Sequence, residues 1–385
     1  MNGLERFKAV VRGETPDYIP IFGFPGAPGM SGGCMRKTYD HLLETGMPDV
    51  GGVCDLGHSG RNVEGWRRFW GTAMPLVLDF GLAYGSQGFK VARRTEGEYE
   101  VIESEDGSIT RQLIDNDITY SMPEFIRYSV RDRDSWEFFR RRTEPQQFMS
   151  AEDFERNARR FDDRAEPLCI GVCGTYGAVR GLMGPEGASL AMYDAPELVH
   201  DIVRTNLERT RRGVFPLIER LRPEIVAMGE DLCYNHGMLL SPAQFEEFFG
   251  GYYREVCSVA HEAGAIVAVD TDGNAMEFAR VAAGCGVDAI YPFEVKAGND
   301  LLALREQMPE FIMFGWLEKE TINAGNEASI EPEIMGKVPA LLEKGRYFPN
   351  GDHGIQPWAT YPSLRKFMTI LHEVCKNPEG DFPRV

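Results

Sequence analysis

The sequence predicts an α/β fold, namely a (β/α)8 TIM barrel with an N-terminal extension and an inserted antiparallel β-hairpin. After about residue 165, short and fully apolar runs alternate with amphipathic helical segments, which is typical of a parallel sheet covered on both faces. Polar residues cluster directly after these runs, where the functional groups of such a barrel lie. The 385 residues suit one barrel with insertions, which takes roughly 250 to 400 residues, so we expect a single domain over residues 1–385.

Local signals predict the elements that precede residue 165. Apolar residues at helical spacing between Asn2 and Gly13 predict a short N-terminal helix. The apolar run 18–23 is predicted to be the first barrel strand, and the Gly- and Pro-rich loop 24–34 is expected to lie over the barrel mouth. Over about residues 88–113, period-2 segments punctuated by Glu-Gly and Asp-Gly pairs predict the inserted β-hairpin.

Six further strands are predicted along the rest of the chain, each followed by a helix. The best-marked helix begins after Ser241, because Ser241 and Gln244 form a capping-box pattern with Pro242 at the first helical position. The aromatic stripe of this helix is interpreted as core packing. The predicted strands are residues 169–172, 225–228, 266–269, 289–291, 311–314 and 347–348.

Composition and motifs exclude several classes of function. A net charge of -18 disfavours nucleic acid as a partner. No GxxxxGK[ST] loop occurs and no GxGxxG follows a strand, so neither ATP nor NAD is expected. No apolar run is long enough to span a membrane and no signal peptide is recognisable, which predicts a cytoplasmic protein without a membrane partner. The eight scattered cysteines are interpreted as small buried hydrophobic residues.

Seven acidic residues and one histidine follow the predicted strands. Residues that follow parallel strands meet at one end of a barrel, so we expect these side chains on a common rim. Like charges gathered in this way are costly unless a cation, a shared proton or a basic partner relieves them. Capping of the next helix accounts for single acids but not easily for seven. The group comprises Glu230, Asp231, Asp270, Asp272, Glu294, Glu318 and Asp352, with His353.

Asp270 and Asp272 with His353 form the sharpest constellation within this group. Two carboxylates and an imidazole are a plausible ligand set for a divalent metal such as zinc, with one coordination position open. The same three residues could instead act as general acid and base on a substrate at the mouth. Both interpretations stay open, and Glu230 and Glu294 complete the set of predicted catalytic residues.

Several motifs spread over the chain occur together in one known superfamily. They include the N-terminal run Arg12-Gly13-Glu14-Thr15-Pro16-Asp17, then Gly181-Leu182-Met183-Gly184, Gly229-Glu230-Asp231, Asp270-Thr271-Asp272-Gly273-Asn274, Pro292-Phe293-Glu294 and Gly351-Asp352-His353-Gly354. With these motifs the chain resembles the uroporphyrinogen decarboxylase-like superfamily over almost its whole length. The resemblance implies the barrel fold and leaves the activity open between two branches.

The residues that distinguish the two branches depart from both patterns. The decarboxylase branch uses an arginine-bearing N-terminal loop and a tyrosine, whereas loop 24–34 contains no arginine and Leu182 occupies the matched tyrosine position. In the cobamide-dependent methyltransferase branch, a His-x-Cys pair and a later Cys bind zinc and activate a thiol. Here Asp270, Asp272 and His353 stand at those positions, so a thiol acceptor is not expected.

The resemblance therefore implies the complementary half-reaction, in which a methyl group passes from an O- or N-methyl donor to a corrinoid (cobalamin) on a partner protein. The leaving atom needs an acid or a cation, and an acidic rim can supply either. The predicted substrate-binding residues are Tyr176, Asp231, Asn274, Trp316 and Glu318. The rings of Tyr176, Phe293 and Trp316 could face a corrin, although aromatic residues at such positions are more often core. The oligomeric state is left open, with a homodimer as one option.

Two alternatives come from other classes of function. A carboxy-lyase acting on another carboxylated substrate would need basic residues in the mouth, for which Arg180, Lys296 and Lys319 are the candidates. A non-catalytic corrinoid-binding barrel would keep its affinity for the corrinoid even if every rim acid were replaced.

Overall fold

The computed structural model describes residues 1–22, 34, 36–50, 63–78, 89–114, 123–143 and 151–385. This part of the chain contains thirteen strands and fifteen α-helices. The strands are β1 (Leu76–Leu78), β2 (Val91–Glu96), β3 (Tyr99–Ser104), β4 (Ile109–Leu113), β5 (Glu124–Arg127), β6 (Leu168–Cys173), β7 (Ile225–Gly229), β8 (Cys233–Tyr234), β9 (Gly237–Met238), β10 (Ile266–Thr271), β11 (Ala289–Pro292), β12 (Ile312–Leu317) and β13 (Tyr347–Gly351). The helices are α1 (Gly3–Val11), α2 (Arg36–Glu44), α3 (Val63–Trp70), α4 (Arg133–Thr143), α5 (Ala151–Ala158), α6 (Thr175–Asp194), α7 (Pro196–Gly213), α8 (Phe215–Leu221), α9 (Pro242–Phe245), α10 (Gly251–Ala263), α11 (Met276–Ala283), α12 (Leu301–Gln307), α13 (Ile330–Met335), α14 (Val338–Lys344) and α15 (Tyr361–Cys375).

Seven parallel strands form the central sheet, in the order β1-β6-β7-β10-β11-β12-β13. All six predicted later strands belong to it, which confirms the α/β class. The predicted first strand, 18–23, is reduced to one parallel bridge between Phe22 and Ala73. The Phe22 ring lies 5.7 Å from the ring of Phe348 in β13, so this segment contacts both edges of a curled sheet. Among the described residues, this segment therefore forms one bridge and no regular strand, and the curled sheet has seven strands.

Alternate positions of the strands fill the inside of the curled sheet. Side chains of a strand point to opposite faces in turn, and those of one face meet here in a single apolar cluster. Phe314 and Phe348 stack at a ring-centroid distance of 4.6 Å. The ring centroids of Phe7 in α1 and Phe348 lie 5.3 Å apart, so the N-terminal helix packs against the inside of the curled sheet. The cluster includes Cys169, Ile225, Ala268, Ala289, Tyr291 and Ile312.

The inserted antiparallel element is larger than the predicted hairpin at 88–113. Strands β2, β3 and β4 form that hairpin and its continuation, and β5 adds a fourth strand to the same sheet. The sequence did not reveal β5 because its four residues carry no turn signal of their own.

The helix predicted after Ser241 is confirmed with its cap. The Ser241 hydroxyl accepts a hydrogen bond from the Gln244 amide, and the Gln244 side chain accepts one from the Ser241 amide. The helix continues from α9 into α10 through a π-helical turn at residues 246–250. This turn rotates the face of α10, and π-turns of this kind often occur beside functional sites.

Two other predictions can be compared only in part. Loop 24–34 lies outside the described residues except for Cys34, which forms a parallel bridge with Ile355. In the ranges that the structure covers, no helix combines the length and apolar character that a bilayer crossing requires.

Candidate active site

The polar residues after the strands lie at one end of the sheet because the strand ends are in register. Asp270 of β10 is level with Gly229 of β7 and with Tyr291 of β11. Leu317 of β12 is level with Gly351 of β13. The predicted common rim is thus formed at the carboxyl ends of the parallel strands, and we call it the acidic rim.

Asp270 is the acid that points into the sheet. It shares the inward face of β10 with Ala268, and it is half-buried. Within the described residues its carboxylate forms no hydrogen bond. Burial raises the pKa of Asp270 well above its ordinary value, and the nearby charges of Asp272 and Asp231 raise it further. A carboxyl group in this setting holds a proton that it can donate.

Asp272 and His353 approach each other across the mouth. The distance between Asp272 Oδ1 and His353 Nε2 is 3.8 Å, and both side chains are partly exposed. Burial raises the pKa of Asp272, and the charges of Asp231 and Glu294 act in the same direction, whereas His353 and nearby Lys319 lower it. The pair can exchange a proton with a ligand that enters the mouth.

The predicted metal set of Asp270, Asp272 and His353 is not assembled as a coordination shell in this conformation. Within the described residues, no group of three or more His, Cys, Asp or Glu side chains is arranged to hold a metal ion. The metal-ligand role of these three residues stays a prediction.

Glu230 is engaged by the protein itself. It is 2% exposed, and its carboxylate accepts hydrogen bonds from the amides of Thr175 (2.8 Å) and Gly177 (2.6 Å) at the start of α6. A third bond comes from the hydroxyl of Tyr253 in α10 at 2.7 Å. Burial raises the pKa of Glu230 to about 7, and the three donated bonds oppose that rise. Glu230 thus ties the end of β7 to two helices.

Three other rim acids are paired with cations. Arg180 Nη2 lies 2.5 Å from Asp231 Oδ2, and Lys319 Nζ lies 3.3 Å from Glu294 Oε1. Lys296 Nζ is 3.7 Å from Glu318 Oε1 and also contacts Glu320. The charges of Asp231, Glu294 and Glu318 are therefore compensated within the protein.

The remaining predicted substrate-binding residues are held in packing or backbone contacts. Tyr176 is 1% exposed against Phe249, and its hydroxyl forms no hydrogen bond within the described residues. Trp316 is 5% exposed and donates its indole N–H to the Asn299 carbonyl. Asn274 donates to the Ala297 carbonyl and accepts from the Met276 amide, so both ends of its amide are used.

Four further residues organise the rim through contacts that sequence reasoning did not predict. Asp352 is 2% exposed and accepts hydrogen bonds from the amides of Val295 (2.9 Å) and Lys319 (3.0 Å). Buried Asn299 donates to the carbonyls of Gly273 and Glu294. The sequence placed Asp352 on the rim and Lys319 in the mouth, but it did not predict these contacts. Asn299 and Tyr253 gave no signal, because their partners lie far away along the chain.

Comparison with known proteins identifies the family and the fold. The sequence profile of the family described as Uroporphyrinogen decarboxylase (URO-D) matches residues 165–374, which is more than half of the chain. A solved structure of a methyltransferase from Methanosarcina mazei aligns with a TM-score of 0.58 over 98% of each chain, at 12% sequence identity. At this identity the similarity shows a shared fold. No curated protein matches the sequence.

Proposed function

The chain belongs to the uroporphyrinogen decarboxylase family, and from that premise we propose that it is a methyltransferase. It takes a methyl group from a neutral or cationic O- or N-methyl donor and passes it to a corrinoid carried by a partner protein. Asp270, Asp272 and His353 handle the proton that the leaving oxygen or nitrogen requires.

The charge balance of the acidic rim carries this proposal. Arg180, Lys296 and Lys319 are the cations that a carboxylate-binding mouth would use, and each already meets a rim acid. The residues outside the described ranges include one Lys or Arg, which is Arg61. Asp270 and Asp272 meet no Lys or Arg within hydrogen-bond distance in the described part of the chain. A mouth in which these three cations are already paired has none to offer a substrate that bears many carboxylates, and it favours a neutral or cationic donor.

Asp270 is the proposed proton donor. With a neutral donor, the electron pair of the broken bond between the methyl carbon and oxygen or nitrogen stays on the leaving atom, which takes the proton of Asp270. A cationic nitrogen donor leaves as the neutral amine and takes no proton. Asp272 and His353 return a proton to Asp270 before the next turnover. Burial raises the pKa of Asp270 and so favours the protonated form that this step requires.

The corrinoid supplies the nucleophile that accepts the methyl group. The aromatic residues that could line a corrin within this chain, Tyr176, Phe293 and Trp316, are all at most 5% exposed. None of these three buried rings therefore presents a face to a corrin, and we assign the corrinoid site to the partner protein.

Methylation of cob(I)alamin tests the proposal directly. We expect absorbance changes of methylcobalamin formation with at least one donor from a panel of methoxy compounds and methylamines. Asp270→Asn and Asp272→Asn should each lower the rate by about 100-fold or more, as expected for loss of a general acid or its partner. Asp300→Asn is the matched control, because Asp300 caps α12 outside the rim, and its rate should stay within about twofold of wild type.

Four outcomes would redirect the assignment. Wild-type rates in the Asp270→Asn, Asp272→Asn double variant would show that the proposed site is wrong. Release of carbon dioxide from uroporphyrinogen would favour the carboxy-lyase alternative, and corrinoid binding without turnover would favour the non-catalytic barrel. A stoichiometric zinc ion that survives dialysis and is lost in His353→Ala would restore the metal-based form of the site.

A further inference from the structure

A chain of hydrogen bonds links the ends of four neighbouring strands. The Glu294 carboxylate, after β11, accepts from the Gly273 amide after β10 at 2.9 Å and lies 3.3 Å from Lys319 Nζ after β12. The Asp352 carboxylate, after β13, accepts from the amides of Lys319 and Val295. We call Glu294, Lys319 and Asp352 the rim network.

The rim network closes into a ring. Lys319 enters it twice, through its ammonium to Glu294 and through its own amide to Asp352. Asp352 then returns to Val295, which is bonded covalently to Glu294. A ring of this kind fixes the relative positions of the ends of β11, β12 and β13, since movement of any one of them breaks at least one bond.

Both ends of the rim network adjoin the proton-sharing pair. Gly273 directly follows Asp272, and His353 directly follows Asp352. Gly273 has φ +79°, and a Cβ atom there would lie 2.6 Å from the backbone of Tyr234. The backbone of Gly273 is therefore confined by Tyr234 as well as by its hydrogen bond to Glu294. The network therefore controls the backbone from which Asp272 and His353 project.

Members of the rim network are shielded from a ligand to different degrees. Asp352 is 2% exposed with both carboxylate oxygens engaged, and the Lys319 side chain is 17% exposed. Asp352 has no free oxygen to offer a substrate. Its influence on the reaction must pass through the residues that it positions.

We propose that Lys319 and Asp352 are positioning residues that hold Asp272 and His353 3.8 Å apart across the mouth, where both side chains reach the same ligand, a role that rests on the proposed methyltransferase function. Neither residue touches the substrate in this scheme. Loss of either one should lower turnover more than substrate affinity, because the donor still binds while the proton pathway is misaligned.

The test uses Lys319→Met and Asp352→Asn in the full chain. Met keeps the length of Lys without its charge, and Asn offers one acceptor oxygen where Asp offers two. We expect kcat for methyl transfer to cob(I)alamin to fall about 10- to 100-fold with a change in KM below about threefold. Lys319→Arg keeps the cation and should recover part of the loss.

Two controls separate positioning from general stability and charge. Glu224→Gln changes a carboxylate of similar burial, which binds Arg164 and the Leu168 amide at the opposite end of the strands. Lys296→Met removes one positive charge from the rim without touching the rim network. Both controls should keep kcat within about threefold of wild type, even where Glu224→Gln lowers the melting temperature.

A double-mutant cycle tests whether Lys319 acts through Asp272. In an Asp272→Asn background, Lys319→Met should cost less than about twofold further in single-turnover rate, because the residue that it positions is already absent. Equal losses in both backgrounds would overturn the proposal. Crystal structures of Lys319→Met and Asp352→Asn give a second reading, since the 3.8 Å separation of Asp272 and His353 should lengthen. An unchanged separation would overturn the proposal, whatever the activity of the wild-type protein. If the separation lengthened but the wild-type protein transferred no methyl group, the proposed function alone would have failed.

Discussion

Hydrogen-bond donors distinguish the acidic residues of the rim from one another. Glu230 receives three donors and Asp352 receives two, whereas the Asp270 carboxylate receives none from the described residues. A carboxylate that is fully hydrogen-bonded by the protein stabilises the local structure and has little left for a ligand. Asp270 keeps its hydrogen-bonding capacity, which is why we place it at the centre of the proposed chemistry.

The environment of Asp270 predicts that its replacement stabilises the protein. The folded-state pKa of Asp270 lies above the unfolded value, so the folded state favours the neutral acid and loses stability as the pH rises through the folded pKa. Asp270→Asn removes this cost, and we expect the melting temperature near pH 8 to rise by about 1–2 °C, a gain that disappears near pH 4. Thermal unfolding followed by circular dichroism at several pH values measures it.

Asp352→Asn is the matched comparison for Asp270→Asn. The same substitution there loses one of two backbone hydrogen bonds, so the melting temperature should fall. If Asp270→Asn also lowered the melting temperature near pH 8, the Asp270 carboxylate would have a partner that we have not identified.

At the scale of elements, the strands extend further than the apolar runs that predicted them. β10 includes Asp270 and Thr271, and β12 continues through Gly315 and Trp316 to Leu317. Trp316 has φ +68°, and the departure from regular strand geometry sends its ring out of the inner cluster toward Asn299. Periodicity did not show this, because polar and glycine residues at a strand end look like the start of a loop.

The kink in α6 gives a prediction about the join between the barrel and the antiparallel sheet. Gly184 has φ +77°, and a Cβ atom there would lie 2.3 Å from the ring of Tyr128. We expect Gly184→Ala to lower the free energy of unfolding by about 1–3 kcal/mol, since it adds both backbone strain and a clash. Urea denaturation measures the change.

Gly181 supplies the control on the same helix. No atom lies within 4 Å of a Cβ built at Gly181, and its backbone is helical. Gly181→Ala should therefore be neutral or stabilising by up to about 1 kcal/mol, from the lower conformational entropy of the unfolded chain. Equal destabilisation by both substitutions would mean that the Tyr128 contact does not set the kink.

At the scale of the whole molecule, the C-terminal segment is joined to the N-terminal third of the chain through buried His372. Its Nε2 lies 2.8 Å from the Trp70 carbonyl, and its Nδ1 lies 3.2 Å from the Asn377 carbonyl and 3.4 Å from Arg384 Nη2. The neutral tautomer with Nε2–H donating to Trp70 leaves Nδ1 to accept from Arg384, which also donates to the Asn377 carbonyl. Burial, together with the charge of Arg384, lowers the pKa of His372 to about 4.

This contact predicts how stability depends on acid. Between about pH 6.5 and pH 4 the unfolded chain takes up a proton at His372 that the folded protein excludes, so stability falls as the pH falls, by up to roughly 3 kcal/mol. Urea unfolding of wild type and His372→Gln at pH 7 and pH 4.5 should show a shallower loss in the variant. His41→Gln changes an exposed histidine and should keep the wild-type dependence. A wild-type dependence in His372→Gln would assign the acid sensitivity to other groups.

The sequence by itself determined the parallel α/β architecture and the location of the acidic residues. Apolar runs with intervening helices can bury both faces of the sheet only when the strands run parallel, and parallel strands place all their carboxyl ends on one side. For that reason Asp270, Asp272, Glu294 and His353 could be assigned to one rim from their positions along the chain, and the family match confirms the fold.

The tertiary structure alone decided which of these residues are available for chemistry. The partners of Glu230 come from α6 and α10, and the partner of Glu294 is Lys319, a residue on a different loop. No local pattern encodes such contacts, because hydrogen bonds between loops depend on how the strands are arranged in space and not on their order in the chain. The same reason limits what the sequence says about a metal site, since spacing along the chain sets which rim a side chain reaches but not its distance from the next one.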